Sequence, residues 1–193
     1  MISQLTTFSM RFVLLGLLCL ALLTLAPNVY ADDYNATVSK WTSYKDVGAW
    51  LEGNFNFSTS RQKTIQKRLK QQGPSGLLIR NPQTLFKDRS GYCADSAHFA
   101  LDALGKISPE YNSRWVFVKN SIKGKANHWV TGFSVDGKLY IMDYGAGHNW
   151  DAMNGIHGPY DSLSEYRDFL ASLNIKGFSV AEVRWRDMPG AVD

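Results

Sequence analysis

The segment HWVTGFSVDGKLYIMD, residues 128–143, predicts a β-hairpin. Asp136-Gly137 lies between two apolar runs, and this dipeptide is typical of a two-residue turn because both positions can adopt a positive φ. Pairing outward from that turn places Val130 opposite Asp143. His128, two positions further along the same strand, lies opposite residue 145.

The pairing brings two chemically active side chains to one face of the hairpin. Side chains alternate between the faces of a strand, so His128 and Asp143 share a face as diagonal neighbours, within reach of a hydrogen bond. The other positions of this face are apolar or small: Val130, Gly132, Leu139 and Ile141. We expect a helix to pack on this face, and we expect it to be the helix that carries Cys93. A register slip of one residue would put His128 and Asp143 on opposite faces.

Cys93 is predicted at the start of a buried helix. The segment 94–104 is rich in good helix formers and Gly105 follows it, while Gly91 allows a sharp turn before it. A helix N-terminus presents unpaired N–H groups and a partial positive charge, which favour a thiolate and also stabilise an oxyanion. The alternative interpretation is a small buried side chain, since free cysteines are often part of a core.

The first 31 residues predict a secretory signal peptide. Arg11 precedes an apolar run over residues 12–25, and Val29 and Ala31 occupy the −3 and −1 positions of a cleavage site. A membrane anchor is the alternative, but the run is shorter than the roughly 20 residues that span a bilayer. Export leaves residues 32–193 as one domain in a periplasmic or extracellular location. Cys93 is then its lone cysteine and cannot form an internal disulfide.

Composition excludes several classes of protein. The 193 residues are 45% hydrophobic and 13% aromatic, which is too apolar for a disordered chain. The 16 glycines and 6 prolines are ordinary numbers and exclude collagen-like sequences. A formal net charge of +4 indicates little about partners.

The order of predicted elements indicates an α+β domain, with helices first, then mostly antiparallel strands and a late helix. The predicted helices cover residues 43–51, 60–72, 82–86, 94–104 and 161–173. The predicted strands cover 115–118, 128–134, 139–144 and 178–185, and 145–160 is predicted as a glycine-rich loop.

Four motifs resemble the transglutaminase-like superfamily, over roughly residues 47–144. They are Pro82-x-x-Leu85-Phe86, Gly91-Tyr-Cys93-Ala-Asp95-Ser-Ala97, His128-Trp-Val-x-Gly-Phe and Tyr140-Ile-Met-Asp143. The resemblance implies a papain-like fold, with the nucleophile helix packed on a mostly antiparallel sheet. It also implies a catalytic triad of Cys93, His128 and Asp143.

This superfamily includes protein-crosslinking acyltransferases, peptidases and peptide amidases. For an exported chain the resemblance implies a cysteine peptidase or peptide-amide hydrolase that forms a thioester. Two alternatives are a protein-glutamine transglutaminase and a non-catalytic binding module of the same fold. One branch of the superfamily binds calcium through an acidic pair around the cysteine. Tyr92 and Ala94 occupy those positions here, so we expect no calcium, no other metal and no cofactor.

Further residues are candidates for the site. The candidates for completing an oxyanion hole are Trp50, Asn54 and Gln83, and those for the substrate groove are Tyr92, Trp129 and Trp150. Trp129 is as well suited to core packing. Asp95 is interpreted as a first-turn acid that complements the helix dipole, and His98 as structural. The loop that holds His148, Asp151 and His157 is expected to rim the cleft, since the spacing matches no standard metal site.

The basic run on the helix 60–72 is interpreted as a solvated face, with an acidic envelope partner as the alternative. Its members are Arg61, Lys63, Lys67, Arg68 and Lys70. We expect the partner to be a peptide or protein substrate, peptidoglycan peptides included. We expect no nucleic acid, no stable membrane anchor and a monomeric chain.

Overall fold

A computed structural model describes the backbone of residues 29–193 and the side chains from residue 33 onward. The predicted signal peptide therefore lies almost wholly outside the described residues. None of the helices within the described range is long and apolar enough to cross a membrane.

Helices and strands alternate in the first half of the chain, and strands dominate the second half. The helices are α1 (Val29–Val38), α2 (Tyr44–Asn54), α3 (Thr59–Gln72), α4 (Pro82–Asp88), α5 (Cys93–Ile107) and α6 (Leu163–Ser172). The strands are β1 (Asn56–Phe57), β2 (Leu78–Ile79), β3 (Ser90–Gly91), β4 (Arg114–Asn120), β5 (His128–Val135), β6 (Lys138–Asp143), β7 (Gly155–Tyr160), β8 (Val180–Trp185) and β9 (Ala191–Val192).

A five-stranded antiparallel sheet forms the centre of the molecule, in the order β7-β6-β5-β4-β8. Two short parallel pairs, β1 with β3 and β2 with β9, tie the helical half together. The predicted α+β class is confirmed. The loop predicted over 145–160 is wrong in part, because its second half forms the edge strand β7.

The β5–β6 hairpin has the predicted turn and register. Asp136 and Gly137 have φ values of 51° and 75°, as a two-residue turn of this kind requires. Thr131 pairs with Met142 and Gly132 with Ile141 along the ladder. Asp136-Gly137 therefore sets which residues of β5 and β6 face each side.

The helix that covers each face differs from the prediction. The face with Val130 and Ile141 packs against Tyr166 and Leu170 of α6. The helix α5 packs on the opposite face, where its small side chains meet Phe133 and Met142. Both faces are apolar, so hydrophobicity alone did not distinguish them. The larger side chains lie on the face that receives the alanines of α5.

A buried hydroxyl also joins α5 to the sheet. Thr131 Oγ1 donates to the carbonyl oxygen of Ala97 at 2.6 Å, and both residues are buried. A satisfied buried hydrogen bond of this kind favours one position of the helix over others that hydrophobic contact alone would allow. The first turn of α5 is consequently held at the end of the sheet where β5 begins and β6 ends.

Candidate active site

The helix α5 begins at Cys93, with Tyr92 as its N-cap residue. Asp95 accepts a hydrogen bond from the backbone N–H of Tyr92 at 2.7 Å and so caps the helix. Within the described chain, the backbone N–H groups of Cys93 and Ala94 have no acceptor. The start of α5 therefore offers two unpaired donors directly beside the sulfur.

The hairpin places an imidazole and a carboxylate together at the same end of the molecule. His128 Nε2 lies 2.6 Å from Asp143 Oδ2, and each side chain is 1% exposed. The second oxygen, Asp143 Oδ1, accepts from the backbone N–H of Gly145 at 3.1 Å. The Cys93 side chain lies close enough to the His128 ring to raise the pKa of the imidazole, and Nδ1 is the ring nitrogen that Asp143 leaves free.

Cys93 reaches the ring although its helix lies on the other face of the sheet. His128 is the first residue of β5 and Asp143 the last of β6. Both therefore lie at the same end of the sheet, next to the first turn of α5. Gly145 makes this close approach possible. A Cβ at that position would lie 2.4 Å from Cys93 Cα and 2.5 Å from Ser96 Oγ.

The charge on His128 is stabilised by its two neighbours. Burial lowers the pKa of the imidazole, but Asp143 and then Cys93 outweigh that effect and raise the pKa of His128 from 6.5 to about 10. The ring is thus an imidazolium throughout the neutral pH range, held between a carboxylate and a sulfur.

The raised pKa of His128 predicts how the stability of the fold depends on pH. A base whose pKa is higher in the folded chain stabilises the fold fully below its unfolded pKa, near 6.5, and loses this contribution as pH rises through about 10. We expect the free energy of unfolding to fall by on the order of a few kcal/mol across that window. Urea unfolding at several pH values measures it.

Two variants serve as controls for this dependence on pH. His128→Gln removes the titrating group and is expected to remove the slope. His98→Gln is expected to keep the slope. The Nδ1 atom of the His98 ring contacts the carbonyl oxygen of Arg80. A slope in His128→Gln equal to that of the wild type would contradict the assignment of the charge to His128.

Cys93 and His128 line an open cleft of about 740 Å³. Trp150 also lines it and packs edge-on against the His128 ring, with centroids 5.9 Å apart. Tyr92 lies between this cleft and an adjoining cavity, and Trp129 lines the adjoining cavity while packing on Phe117. Of the three residues predicted for the groove, Tyr92 and Trp150 line the cleft, whereas Trp129 lines only the adjoining cavity.

The three predicted oxyanion donors lie elsewhere. Trp50 stacks between Phe86 and Phe99 in the core, at centroid distances of 5.1 and 4.5 Å. The Asn54 amide donates to the Trp50 carbonyl on its own helix. Gln83 Oε1 is buried without a hydrogen-bond partner. None of the three lines the cleft, because α2 and α4 pack on the far side of α5.

Sequence reasoning missed the polar side of α3. Gln62 and Gln66 line the cleft together with Thr59, and their amides are the side-chain N–H donors that this helix contributes to it. The signal was present in the sequence, because positions 59, 62 and 66 follow the helical repeat on one face.

Of the three remaining histidine candidates, one lines the cleft and two lie away from it. His148 lines the cleft, whereas His157 Nε2 contacts the carbonyl of Met153 at 2.7 Å and its ring packs on Phe169. His98 stacks on Trp115, in the structural position that was predicted. In the described part of the chain, no group of three His, Cys, Asp or Glu residues is placed to hold a metal ion.

The basic run on α3 is not a uniform solvated face. Arg61 points inward and forms an ion pair with the fully buried Asp95, with Nε and Oδ2 2.6 Å apart. Arg68 donates to the carbonyl of Gly76. Lys63 and Lys67 are exposed as predicted. Asp95 thus caps α5 and also forms a buried ion pair. The interpretation of Asp95 as a first-turn acid did not predict this ion pair.

The chain belongs to the transglutaminase-like domain family, whose members it matches over residues 27–148. That match covers more than half of the chain and includes Cys93, His128 and Asp143. The search of curated proteins finds no match to this sequence.

Proposed function

We propose that the protein is an exported cysteine peptidase or peptide-amide hydrolase that uses Cys93, His128 and Asp143. The observation that carries the proposal is the position of the His128 ring. One nitrogen contacts Asp143 at 2.6 Å, and His128 and Cys93 line the same open cleft. Thiol chemistry on a carbonyl needs this combination of nucleophile, proton donor and orienting acid.

The first half of the reaction is acylation. The sulfur of Cys93 bonds to the carbonyl carbon of the substrate amide, and the electron pair of the C=O double bond moves onto the oxygen. As that pair returns, the bond from carbon to the amide nitrogen breaks. His128 Nδ1 gives its proton to the leaving amine, and a thioester remains on Cys93. Asp143 keeps the second ring nitrogen protonated and the ring oriented.

The second half is hydrolysis. A water molecule gives a proton to His128 Nδ1 as its oxygen bonds to the thioester carbon. The carbon–sulfur bond then breaks, the acid leaves, and the thiolate–imidazolium pair is restored. A primary amine in place of water would give the acyl transfer of a transglutaminase.

The negative oxygen that forms in both halves needs donors. The free N–H group of Cys93, which lines the cleft, supplies one, and Gln62 is the side chain that we assign as a second. Gln62→Ala is expected to lower kcat about 100- to 1,000-fold, because an oxyanion donor acts mainly in the transition state. Gln83→Ala, remote from the cleft, is the matched control and is expected to stay within about twofold. Equal kcat values for the two variants would remove Gln62 from this role.

Trapping the thioester tests the proposed function. The purified protein is incubated with a diverse peptide pool and a labelled primary amine, quenched in acid and digested for mass spectrometry. We expect an acyl group on the peptide that contains Cys93, none in Cys93→Ala, and release of free acid. Predominant labelling of glutamine side chains with the amine would instead indicate a transglutaminase. No adduct and no product would contradict catalysis and favour the binding module.

Export is part of the same proposal and rests on the pattern of residues 1–31. Cleavage after Ala31 would keep Tyr34, whose ring packs on Phe86 and Phe99 and whose hydroxyl donates to Asp102 at 2.6 Å. N-terminal sequencing of the protein from fractionated cells is expected to begin at Asp32. A cell-associated chain that keeps Met1 would contradict it.

A further inference from the structure

The cleft that holds Cys93 adjoins a second cavity of about 390 Å³. The two cavities share lining residues, among them Gln66, Tyr92, Lys125 and Asn127. Phe117 and Trp129 form the aromatic wall of the second cavity, and their ring centroids are 4.9 Å apart. A peptide bound at Cys93 therefore has a neighbouring pocket for one of its flanking groups.

The cavities carry charge of one sign. The lysine and arginine side chains that line them are Lys70, Lys125, Lys176 and Arg186. The chain contains 17 acidic residues, yet no carboxylate from its described part lines either cavity. Since the formal net charge of the whole chain is only +4, positive charge is concentrated here. Such a groove attracts anionic ligands.

Arg186 is the cation best prepared to bind a specific group. Its guanidinium carbon lies 4.7 Å from the centre of the Phe117 ring and 5.7 Å from that of Trp129. Stacking on these rings orients the guanidinium and leaves its N–H edges available. Among the described residues, Arg186 has no carboxylate partner. A guanidinium in this state can bind a carboxylate through two parallel hydrogen bonds.

We propose that the substrate is an acidic peptide, and that a carboxylate close to the attacked bond binds Arg186, with Lys70 and Lys125 beside it. This inference rests on the proposed function, because it names the substrate class of the same site. The carboxylate can come from a glutamate or aspartate side chain or from the C-terminus of the peptide. The two sources share one chemistry and are separated by the choice of peptides.

The test compares kcat/KM for matched peptides built around a sequence that the thioester trap identifies. One set contains glutamate or glutamine at each flanking position, with both ends blocked. A second set contains the glutamine peptide with a free or an amidated C-terminus. We expect the carboxylate form to be preferred about 10- to 100-fold at low salt, as for a hydrogen bond to a charged group. The set that carries the preference identifies the source.

Variants then locate the binding group. Arg186→Gln is expected to reduce the preference about tenfold or more while hydrolysis of the neutral peptide continues. Arg184→Gln is the matched control, since Arg184 also stacks on Phe117, at 5.7 Å, but pairs with Glu182 and does not line the cavity. Lys70→Glu, at an exposed position of α3, provides a second test should Arg186→Gln fail to fold.

The outcomes separate this inference from the proposed function. Equal kcat/KM for the carboxylate and neutral peptides, or a preference unchanged in both Arg186→Gln and Lys70→Glu, overturns the inference while leaving hydrolysis established. If the trap identifies no sequence and no peptide is cleaved, calorimetric titration into Cys93→Ala decides the matter, with peptides of one fixed neutral sequence and their counterparts with glutamate in place of glutamine. Tighter binding of the acidic peptides supports the inference although catalysis fails, and equal binding overturns it.

Discussion

His128→Gln is expected to lower kcat/KM for peptide hydrolysis about 10⁴-fold, because one ring both holds the charge beside the sulfur and transfers the proton. Glutamine keeps an N–H that can donate to Asp143, so the buried carboxylate stays partnered and the fold is retained. Steady-state kinetics with the trapped substrate measures the loss. His98→Gln is the control and is expected to stay within about threefold, because His98 stacks on Trp115 outside the cleft.

The pH dependence of alkylation separates a loss of chemistry from a loss of structure. In the wild type, His128 is an imidazolium up to about pH 10. The rate of reaction of Cys93 with iodoacetamide is therefore expected to change little between about pH 6 and about pH 8. In His128→Gln the rate is expected to rise steeply with pH. Identical profiles, or a fall in kcat/KM of less than about tenfold, would show that His128 does not activate the sulfur.

The hairpin was predictable because its information is local. Asp136-Gly137 supplies the positive φ values of the turn, and the turn alone determines which residues pair. From that pairing the contact between His128 and Asp143 follows without knowledge of any other element. The start of α5 at Cys93 was predictable for the same reason, since Gly91 and the run of helix formers lie next to it.

The local sequence did not indicate which helix covers each face of the hairpin. The Val130 face and the Phe133 face are both apolar, and either could receive an amphipathic helix. The observed arrangement depends on volume, because the alanines of α5 fit over Phe133 and Met142 while Tyr166 of α6 fills the space over Val130. Periodicity predicts that a face is buried, but it does not identify the element that covers it.

The oxyanion candidates were wrong for a related reason. Trp50 and Gln83 lie on helices that precede Cys93 in sequence, yet α5 separates both from the cleft. The polar residues Gln62 and Gln66 of α3 were not recognised as site candidates, because they lie among the lysines and arginines of the basic run. Only the packing of α3 shows that one of its faces borders the cleft and another holds Arg61 against Asp95.

Arg61→Met is expected to lower the free energy of unfolding by about 3 to 5 kcal/mol, the usual effect of leaving a buried charge without its partner. Asp95 is fully buried and accepts from Arg61 Nε at 2.6 Å and Nη2 at 3.0 Å. The backbone N–H groups of Tyr92 and Arg80 also donate to it, each at 2.7 Å. Without Arg61 the two backbone donors remain, but no positive charge balances the carboxylate. Urea unfolding monitored by tryptophan fluorescence measures the change.

The double variant Arg61→Met with Asp95→Asn distinguishes a buried charge from lost packing. It removes both charges, so its cost is expected to be clearly smaller than the sum of the two single costs. Lys63→Met, an exposed position of α3, is the control and is expected to change stability by less than about 0.5 kcal/mol. Additive costs in the double variant would mean that Arg61 stabilises the fold by packing alone. Non-additive costs would mean that the first turn of α5, and with it the position of the Cys93 sulfur, depends on an ion pair formed with α3.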